Sequence, residues 1–469
     1  MASRGGASRR HAAHYLAVLE RLGERYRARE RDHGGLAREF EREWPQIRQG
    51  QEWSAARPDD PARAPFCAGF SRVSATLLSL YQSPDERVGW LRDALAAARS
   101  LGDTAAEADC HGNLGIAFED LGAYRPSAAH LARAVRLARR TADPRLEQVY
   151  RGQLGLAYIG LAEYGRAVGH LRRALASARR LGETADESTH LGNLGLAESY
   201  RGNLQRALRL HLHALELARR EGDRRGEGRD YANLGVVYYE MGDYERAGEH
   251  FGASLEVSRA LRHPHGMALD LGNLAAVHTE TGRLDEAYPM LVEALGVTRA
   301  LGDRSGEGLN LSNLGHLCTE LGSHHDAARL YERALLAARE TGDRRGEASR
   351  LVSLGGARLR LGMIREAEAL VREGIRVARE IGIAETVEVG SELLAEIQAA
   401  GGEQIQAAVS PPLAGLAAAI HHRLPALLGD EAVGAPAARA AGGDGGSDPV
   451  SGGVAVPATA TPPTEHAVE

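Results

Sequence analysis

Residues 113–115 read Asn-Leu-Gly, and forty residues later residues 153–155 read Gln-Leu-Gly. Further copies follow at the same interval, at Asn193-Leu194-Gly195, Asn233-Leu234-Gly235, Asn273-Leu274-Ala275, Asn313-Leu314-Gly315 and Ser353-Leu354-Gly355. The forty-residue unit therefore occurs seven times between residues 108 and 387, without an insertion or a deletion. A strict period of this length predicts a solenoid, in which similar units stack on one another.

Each unit contains two runs of apolar residues at helical spacing, as in residues 231–240 and 244–259. A turn separates the two runs, at Gly122, Ala162, Gly202, Gly242, Gly282, Gly322 and Gly362. Units end in stop signals such as Leu301-Gly302-Asp303, where the glycine can take a left-handed conformation and the acid can cap the next helix. Each unit is therefore predicted to be a helical hairpin, and the fold class to be all-α.

The small and aromatic positions of this unit, such as Gly115, Gly122, Tyr124 and Ala134, resemble those of the tetratricopeptide repeat. The unit has forty residues instead of the family's usual number of about thirty-four. It is therefore more similar to the longer-helix subgroup found in kinesin light chains and in the sensor region of bacterial STAND-type regulators. The resemblance implies a right-handed superhelical solenoid, in which the first helix of each unit lines a concave groove.

Carried over to this chain, the resemblance implies that a column of amides faces the groove. This amide column is Asn113, Gln153, Asn193, Asn233, Asn273 and Asn313, with Ser353 in the last unit. Primary amides both donate and accept hydrogen bonds, so they can bind the backbone of an extended peptide. The small residues one position earlier, Gly112, Gly152, Gly192, Ala232, Gly272, Ser312 and Val352, would leave room for it. Alternatively, the amides bond to adjacent helices and hold the stack together.

An acidic column stands at the ends of the first helices. Its members are Asp120, Glu240, Glu280 and Glu320. If they line the groove, they favour a basic segment of a partner and speed its capture. Alternatively, they are ordinary solvated helix ends.

Composition excludes several classes of function. All 57 basic residues are arginine, so neither a Walker-type phosphate loop nor a Schiff-base lysine is present. The net charge of −6 indicates neither a nucleic acid nor a membrane as partner. The three cysteines show no metal-ligand spacing. Among the histidines, His263 and His265 are the best candidates for metal ligands, but a site with only these two is not expected to bind a metal. We therefore expect no catalytic residues, no metal and no cofactor.

The regions outside the seven units have their own expected organisation. We expect disorder at 1–9, helical segments at 10–56 broken at Pro45, a degenerate first repeat at 66–107, capping helices at 388–428 and a disordered tail at 429–469. The run Glu43-Trp44-Pro45-Gln46-Ile47-Arg48, with Gln51-Glu52-Trp53, resembles the linker before the repeats of STAND-type regulators. Alternatively, this segment is an amphipathic cap over the first repeat.

These features favour a cytoplasmic, non-enzymatic scaffold or sensor that binds a peptide or protein segment in its groove. No apolar run of eighteen residues and no signal peptide is visible. One alternative is a ligand-sensing module derived from a STAND-type transcriptional regulator, acting with a separate effector chain. Another is an accessory protein of a biosynthetic pathway. The sequence does not determine the oligomeric state.

Overall fold

A computed structural model of the chain describes residues 4–27, 33–72, 82–399 and 414–429. Every regular element within these residues is an α-helix. The helices fall into two compact units, which we name the N-terminal unit, residues up to Arg201, and the C-terminal unit, residues from Gly202. The expected all-α array of helical hairpins is confirmed.

The N-terminal unit contains nine described helices. They are α1 Arg4–Arg27, α2 His33–Ala55, α3 Ala64–Arg72, α4 Pro84–Ser100, α5 Thr104–Asp120, α6 Tyr124–Arg140, α7 Pro144–Gly160, α8 Tyr164–Leu181 and α9 Thr184–Ser199. From α5 onward the helices alternate between the first and second helix of each forty-residue unit. Within each hairpin the first helix packs against the second, as α5 does against α6.

The C-terminal unit continues the alternation and adds one further helix. Its helices are α10 Leu204–Glu221, α11 Arg224–Glu240, α12 Tyr244–Ala260, α13 Pro264–Glu280, α14 Leu284–Leu301, α15 Arg304–Glu320, α16 His324–Thr341, α17 Arg344–Arg360, α18 Ile364–Ile381, α19 Ala384–Ala399 and α20 Ala414–Leu428. A large apolar core among the described residues lies here and includes Leu314, Tyr331 and Leu354.

Two features of the N-terminal helices differ from expectation. Helix α1 begins at Arg4, so residues 4–9 are helical where we expect disorder. Extending a helix whose Leu19 and Leu22 are fully buried adds one hydrogen bond per residue and requires no new nucleation. Helix α2 also continues through Pro45. Fully burying Phe40 and Ile47 contributes roughly 1.5–3 kcal/mol each, which offsets the cost of about 3 kcal/mol for an internal proline.

Aromatic stacking joins these helices to the start of the array. The Trp44 ring on α2 stacks between Phe40, at a centroid distance of 5.3 Å, and Trp90 on α4, at 5.5 Å. The segment around Trp44 therefore packs as a cap against the first hairpin. In that hairpin α3 packs on α4, whose Trp90, Leu91, Ala94 and Leu95 are buried. The degenerate first repeat expected at 66–107 also includes residues 73–81, which lie outside the described residues.

The turns between units repeat one geometry. Gly302 and Gly342 have φ values of 68° and 70°, and the following Asp303 and Asp343 accept hydrogen bonds from the backbone of Gly306 and Gly346 at 2.9 and 2.8 Å. Both parts of the stop signal therefore act as expected.

An ion pair spans the same turn in several units, and the sequence analysis missed it. An arginine Nε near the end of a second helix donates to the glutamate eight residues later, at 3.1, 2.8, 2.7, 2.9 and 3.0 Å for Arg99–Glu107, Arg139–Glu147, Arg179–Glu187, Arg299–Glu307 and Arg339–Glu347. The pairs tie consecutive units together at a fixed separation along the chain.

Helix α20 does not extend the stack as an end cap. It lies on the second helices α14 and α16, where Ile420 and Leu424 enter the same core as Leu330. Its final carbonyls accept hydrogen bonds from Arg299, which reaches Ala426 O at 3.0 Å, and from Arg333, which reaches Leu428 O at 2.8 Å. These contacts give the C-terminal end of α20 cationic partners, which a helix dipole favours. The tail from residue 430 onward lies outside the described residues.

The residue type at a left-handed turn should affect the stability of the protein. Ala162 holds a φ of 58° at a turn where other units place glycine, such as Gly242 at 76°. A side chain in this conformation costs about 1–2 kcal/mol. We therefore expect Ala162→Gly to raise the urea unfolding midpoint, and Gly242→Ala to lower it, each by an amount equivalent to about 1 kcal/mol. No atom lies near a Cβ built on Gly242, so the second change tests backbone strain alone. A fall in midpoint for both variants would contradict the argument.

Candidate binding site

The amide column is accessible in only part of the chain. In the N-terminal unit Asn113 and Gln153 are half-buried, and Asn193 is 7% exposed. In the C-terminal unit Asn233, Asn273 and Asn313 are 3%, 0% and 3% exposed. Among the described residues of the column, Asn113 and Gln153 therefore keep the most exposure, and the amide residues of the C-terminal unit are inaccessible.

One buried amide shows what the column does where it is inaccessible. The Asn313 side chain on α15 donates from Nδ2 to the carbonyl of Gly272 on α13, at 3.2 Å. These are the first helices of consecutive units, so the amide joins neighbours in the stack. At this position the structure matches the alternative interpretation, in which the column holds the units together.

The small residues next to the amides do not leave space for a ligand. A Cβ built on Gly112 would lie 2.1 Å from the ring of Tyr150, and one built on Gly152 would lie 2.6 Å from the ring of His190. The gap at each glycine is thus filled by a side chain of the following unit. The expectation that these glycines make room for a partner is wrong for these two units, because the first helices approach too closely.

The side chains that fill these gaps form a column that the sequence analysis missed. Its members are the buried residues Tyr150, His190, Asp230, Asp270, Asn310 and Arg350. They recur at the forty-residue interval, three residues before the amide column. Their chemical identity changes from unit to unit, so the interval was the only available signal. We name this set the inter-unit column.

Burial shifts the protonation of several members of the inter-unit column. It lowers the pKa of His190 to about 4. It raises the pKa of Tyr150, whose hydroxyl donates to Asp109 Oδ1 at 2.7 Å. It also raises the pKa of Asp270 to about 7, although hydrogen bonds from Ser254 and Ser258 favour the charged form. These groups are therefore held in their neutral forms over much of the physiological pH range.

Two members of the acidic column are occupied by internal contacts. Asp120 pairs with Arg87 of the preceding hairpin. Glu280 accepts a hydrogen bond from Tyr239 Oη at 3.0 Å, and His316 Nε2 lies 3.1 Å from the same Glu280 oxygen. Burial alone would raise the pKa of Glu280, but hydrogen bonds from His316, Tyr239 and Tyr244 outweigh it and lower that pKa.

The other two acids, Glu240 and Glu320, are exposed at the ends of α11 and α15. The four acids therefore differ in role. Asp120 and Glu280 join neighbouring units, and Asp120, Glu240 and Glu320 are exposed residues, whereas Glu280 is half-buried.

Beside the accessible amides lies an aliphatic row. Ile116, Leu156 and Leu196 are half-buried on α5, α7 and α9, each three residues after a member of the amide column. Residues three apart share one face of a helix, so each aliphatic side chain adjoins its amide. We name Asn113, Gln153, Ile116, Leu156 and Leu196 the amide-aliphatic face. It combines hydrogen-bonding groups with apolar surface, as peptide-binding grooves do.

Within the described residues, no group of three or more histidine, cysteine, aspartate or glutamate side chains could hold a metal ion. His265 instead places Nδ1 3.0 Å from Asp303 Oδ2, across an inter-unit turn. None of the described helices is long and apolar enough to cross a membrane.

Comparison with protein families gives a match over the later units. The tetratricopeptide repeat model matches four overlapping segments, residues 186–260, 230–300, 267–335 and 307–380. No curated protein matches the chain significantly.

Solved structures share the fold at low sequence identity. The chain is similar to aspartyl phosphate phosphatase F from Bacillus subtilis, with 12% identity and a TM-score of 0.53 over 80% of this chain and 96% of that one. A Rap protein complexed with competence and sporulation factor gives 14% and 0.51 over 84% and 99%. The apo form of the quorum sensor NprR from B. thuringiensis gives 13% and 0.51 over 78% and 97%. Identities this low show the fold alone.

Because side chains fill the space beside Gly112 and Gly152, adding one methyl group there should lower the stability of the protein. Gly152→Ala would place Cβ against His190 and is expected to destabilise the protein by about 1–3 kcal/mol. Gly169→Ala, on the open face of the neighbouring α8, meets no atom and is expected to stabilise it by about 0.5–1 kcal/mol. Urea unfolding midpoints compare the two. Equal midpoints would mean that the first helices are further apart than described.

Because the Asp270 carboxyl is buried, we expect the free energy of unfolding to depend on pH. Its carboxyl binds a proton more tightly in the folded state, so its contribution to stability is complete below the unfolded pKa and is lost as pH rises toward about 7. We expect Asp270→Asn to stabilise the protein increasingly between pH 5 and 8, by on the order of 2–3 kcal/mol at the upper end. Urea unfolding at both pH values measures this. The exposed Asp285→Asn serves as control, and a pH-independent effect of Asp270→Asn would refute the assignment.

Proposed function

Because residues 186–380 are tetratricopeptide repeats, we propose that the protein is a non-enzymatic interaction module that binds a peptide or protein segment. The forty-residue unit begins before the matched residues, at residue 108. We assign the binding site to the amide-aliphatic face on α5, α7 and α9. The partner is a protein segment that offers free backbone groups and an apolar side chain.

One observation carries this assignment, namely the difference in exposure along the amide column. Asn113 and Gln153 are half-buried, whereas the amides of the C-terminal unit are inaccessible. The exposure of Gln153 belongs to its other atoms, because Oε1 is buried and has no hydrogen-bond partner among the described residues. A buried acceptor without a donor costs roughly 1–3 kcal/mol, and rotation of this side chain toward a ligand N–H would recover part of that free energy.

The aliphatic row supplies the remaining affinity. Burying the exposed parts of Ile116, Leu156 and Leu196 contributes about 25 cal/mol for each Å² removed from water. A backbone held by amides positions its side chains against this row. The amides and the aliphatic row together therefore favour binding of an extended segment over binding of a rigid charged surface.

The similar solved structures are consistent with such a module but do not carry the proposal. One of them is a Rap protein in complex with competence and sporulation factor, and this is a property of that protein. For this chain the proposal depends on its own residues. A sensor module derived from a STAND-type regulator, acting with a separate effector chain, is the alternative. We place either form in the cytoplasm, which the three buried free cysteines support.

Two double variants test the proposal. Asn113→Ala with Gln153→Ala should leave the urea midpoint nearly unchanged and weaken the partner at least about tenfold, since two hydrogen bonds are lost. The partner is first captured from the native cell extract with the wild-type chain and identified by mass spectrometry. Its affinity is then measured with purified components.

The matched control is Asn273→Ala with Asn313→Ala. These amides are buried, so their loss should lower the urea midpoint by an amount equivalent to roughly 1–2 kcal/mol in the free energy of unfolding. The affinity of the folded protein for the partner should stay unchanged. The opposite pattern, with affinity lost only in the control pair, would place the site elsewhere. Unchanged affinity in both pairs would refute an amide-based site.

A further inference from the structure

Charge is distributed unequally along the chain. Residues 1–201 contain 30 arginines and 25 acidic residues, whereas residues 202–469 contain 27 arginines and 38 acidic residues. The small overall net charge of −6 therefore hides a basic N-terminal part and an acidic remainder. A charge asymmetry of this kind points to an electrostatic interaction surface.

The excess of arginine is concentrated on two helices. Helices α6 and α8 are the second helices of consecutive units, and each contains five arginines and no acidic residue. All ten of these arginines are exposed: Arg125, Arg133, Arg136, Arg139, Arg140, Arg166, Arg172, Arg173, Arg179 and Arg180. The amide-aliphatic face lies on α5, α7 and α9, so the two surfaces are built from different helices.

Half of these arginines already have acidic partners. Glu107, Glu147, Glu163, Glu198 and Glu187 pair with Arg133, Arg139, Arg166, Arg172 and Arg179 at distances from 2.7 to 3.7 Å. The other five have no carboxylate partner within the described residues. We name these five, Arg125, Arg136, Arg140, Arg173 and Arg180, the arginine face.

Two half-buried histidines on these helices have lowered pKa values, mainly because of burial. His170 on α8 has its pKa lowered to about 4, first by burial and then by Arg151, Arg173 and Arg166. Burial and then Arg92 and Arg99 lower the pKa of His130 on α6. Of the arginine face, only Arg173 contributes to these shifts, and its effect on the pKa of His170 is smaller than that of burial.

We propose that the arginine face binds the acidic C-terminal segment of the same chain, residues 430–469. This segment lies outside the described residues and contains six acidic residues and one arginine: Asp430, Glu431, Asp444, Asp448, Glu465, Glu469 and Arg439. Guanidinium groups pair with carboxylates through two parallel hydrogen bonds, so five unpaired arginines match such a segment chemically.

Because residues 430–469 belong to the same chain, they are favoured over a separate molecule as the ligand of the arginine face. A segment on the same chain binds at an effective concentration that a free partner reaches only in the millimolar range. The forty residues after Gly429 extend over at most about 140 Å.

Photo-crosslinking in the full chain tests the proposal. A benzophenone amino acid replaces Ser451, and crosslinked peptides are identified by mass spectrometry. We expect crosslinks to residues 124–140 and 164–181 at low salt, with the yield falling as salt rises, because exposed charge pairs are screened within about 10 Å at 0.1 M. Crosslinks confined to other helices would overturn the proposal.

A charge-reversal variant tests the residues themselves. Arg136, Arg140, Arg173 and Arg180 are all changed to glutamate, and the crosslinking yield should fall about tenfold as four exposed pairs are lost together. The control reverses four exposed arginines of the C-terminal unit, Arg209, Arg259, Arg262 and Arg365, and should leave the yield unchanged. Thermal unfolding midpoints verify that both variants are folded. Equal yields in the two variants would refute the assignment to this face.

Two further measurements distinguish the C-terminal segment from two other possible occupants of the arginine face, a second copy of the chain and a nucleic acid. A mixture of isotopically labelled and unlabelled chains distinguishes crosslinks within one chain from crosslinks between two, and mixed crosslinks would assign the face to a second copy. A fluorescent DNA duplex of twenty base pairs is titrated at 150 mM salt. Binding that the charge-reversal variant abolishes and the control retains would assign the face to nucleic acid. Either result would overturn the proposal.

Discussion

The stacking of this protein depends on the close approach of the first helices of consecutive units. In the N-terminal unit a glycine on one helix meets a large side chain from the next, Gly112 with Tyr150 and Gly152 with His190. The contact leaves no space even for a methyl group. Because side chains in protein interiors pack at nearly crystalline density, such a contact determines both the distance between units and their register.

The forty-residue period follows from this contact and from the turns. A left-handed glycine ends the second helix, and an aspartate caps the next one. The arginine–glutamate pair across the turn then holds the two helices at one separation in sequence. An insertion at this point would move the following side chain away from its glycine. The sequence therefore tolerates changes in residue type within the inter-unit column, but not changes in length.

This packing also limits where the protein can bind a partner. The same amide has two roles, since Asn313 bonds to Gly272 of the preceding unit while Asn113 and Gln153 stay half-exposed. The second helices differ in a similar way. Helices α14 and α16 present an apolar surface that α20 covers, whereas α6 and α8 present arginine. A regular array thus provides chemically distinct surfaces without a change in its backbone.

The sequence alone determined the hairpins, their period and the left-handed turns, because each depends on residues close together in the chain. Glycine conformation, helix capping and helical periodicity are local properties. The tertiary structure alone decided which amides are buried, that Glu280 bonds to tyrosines and a histidine, and that α20 returns to α14 and α16. These outcomes depend on how tightly successive units stack and on contacts between residues as far apart as Arg299 and Ala426. A repeating sequence specifies that its units pack together, but the exposure of each side chain follows only from the distance at which they do so.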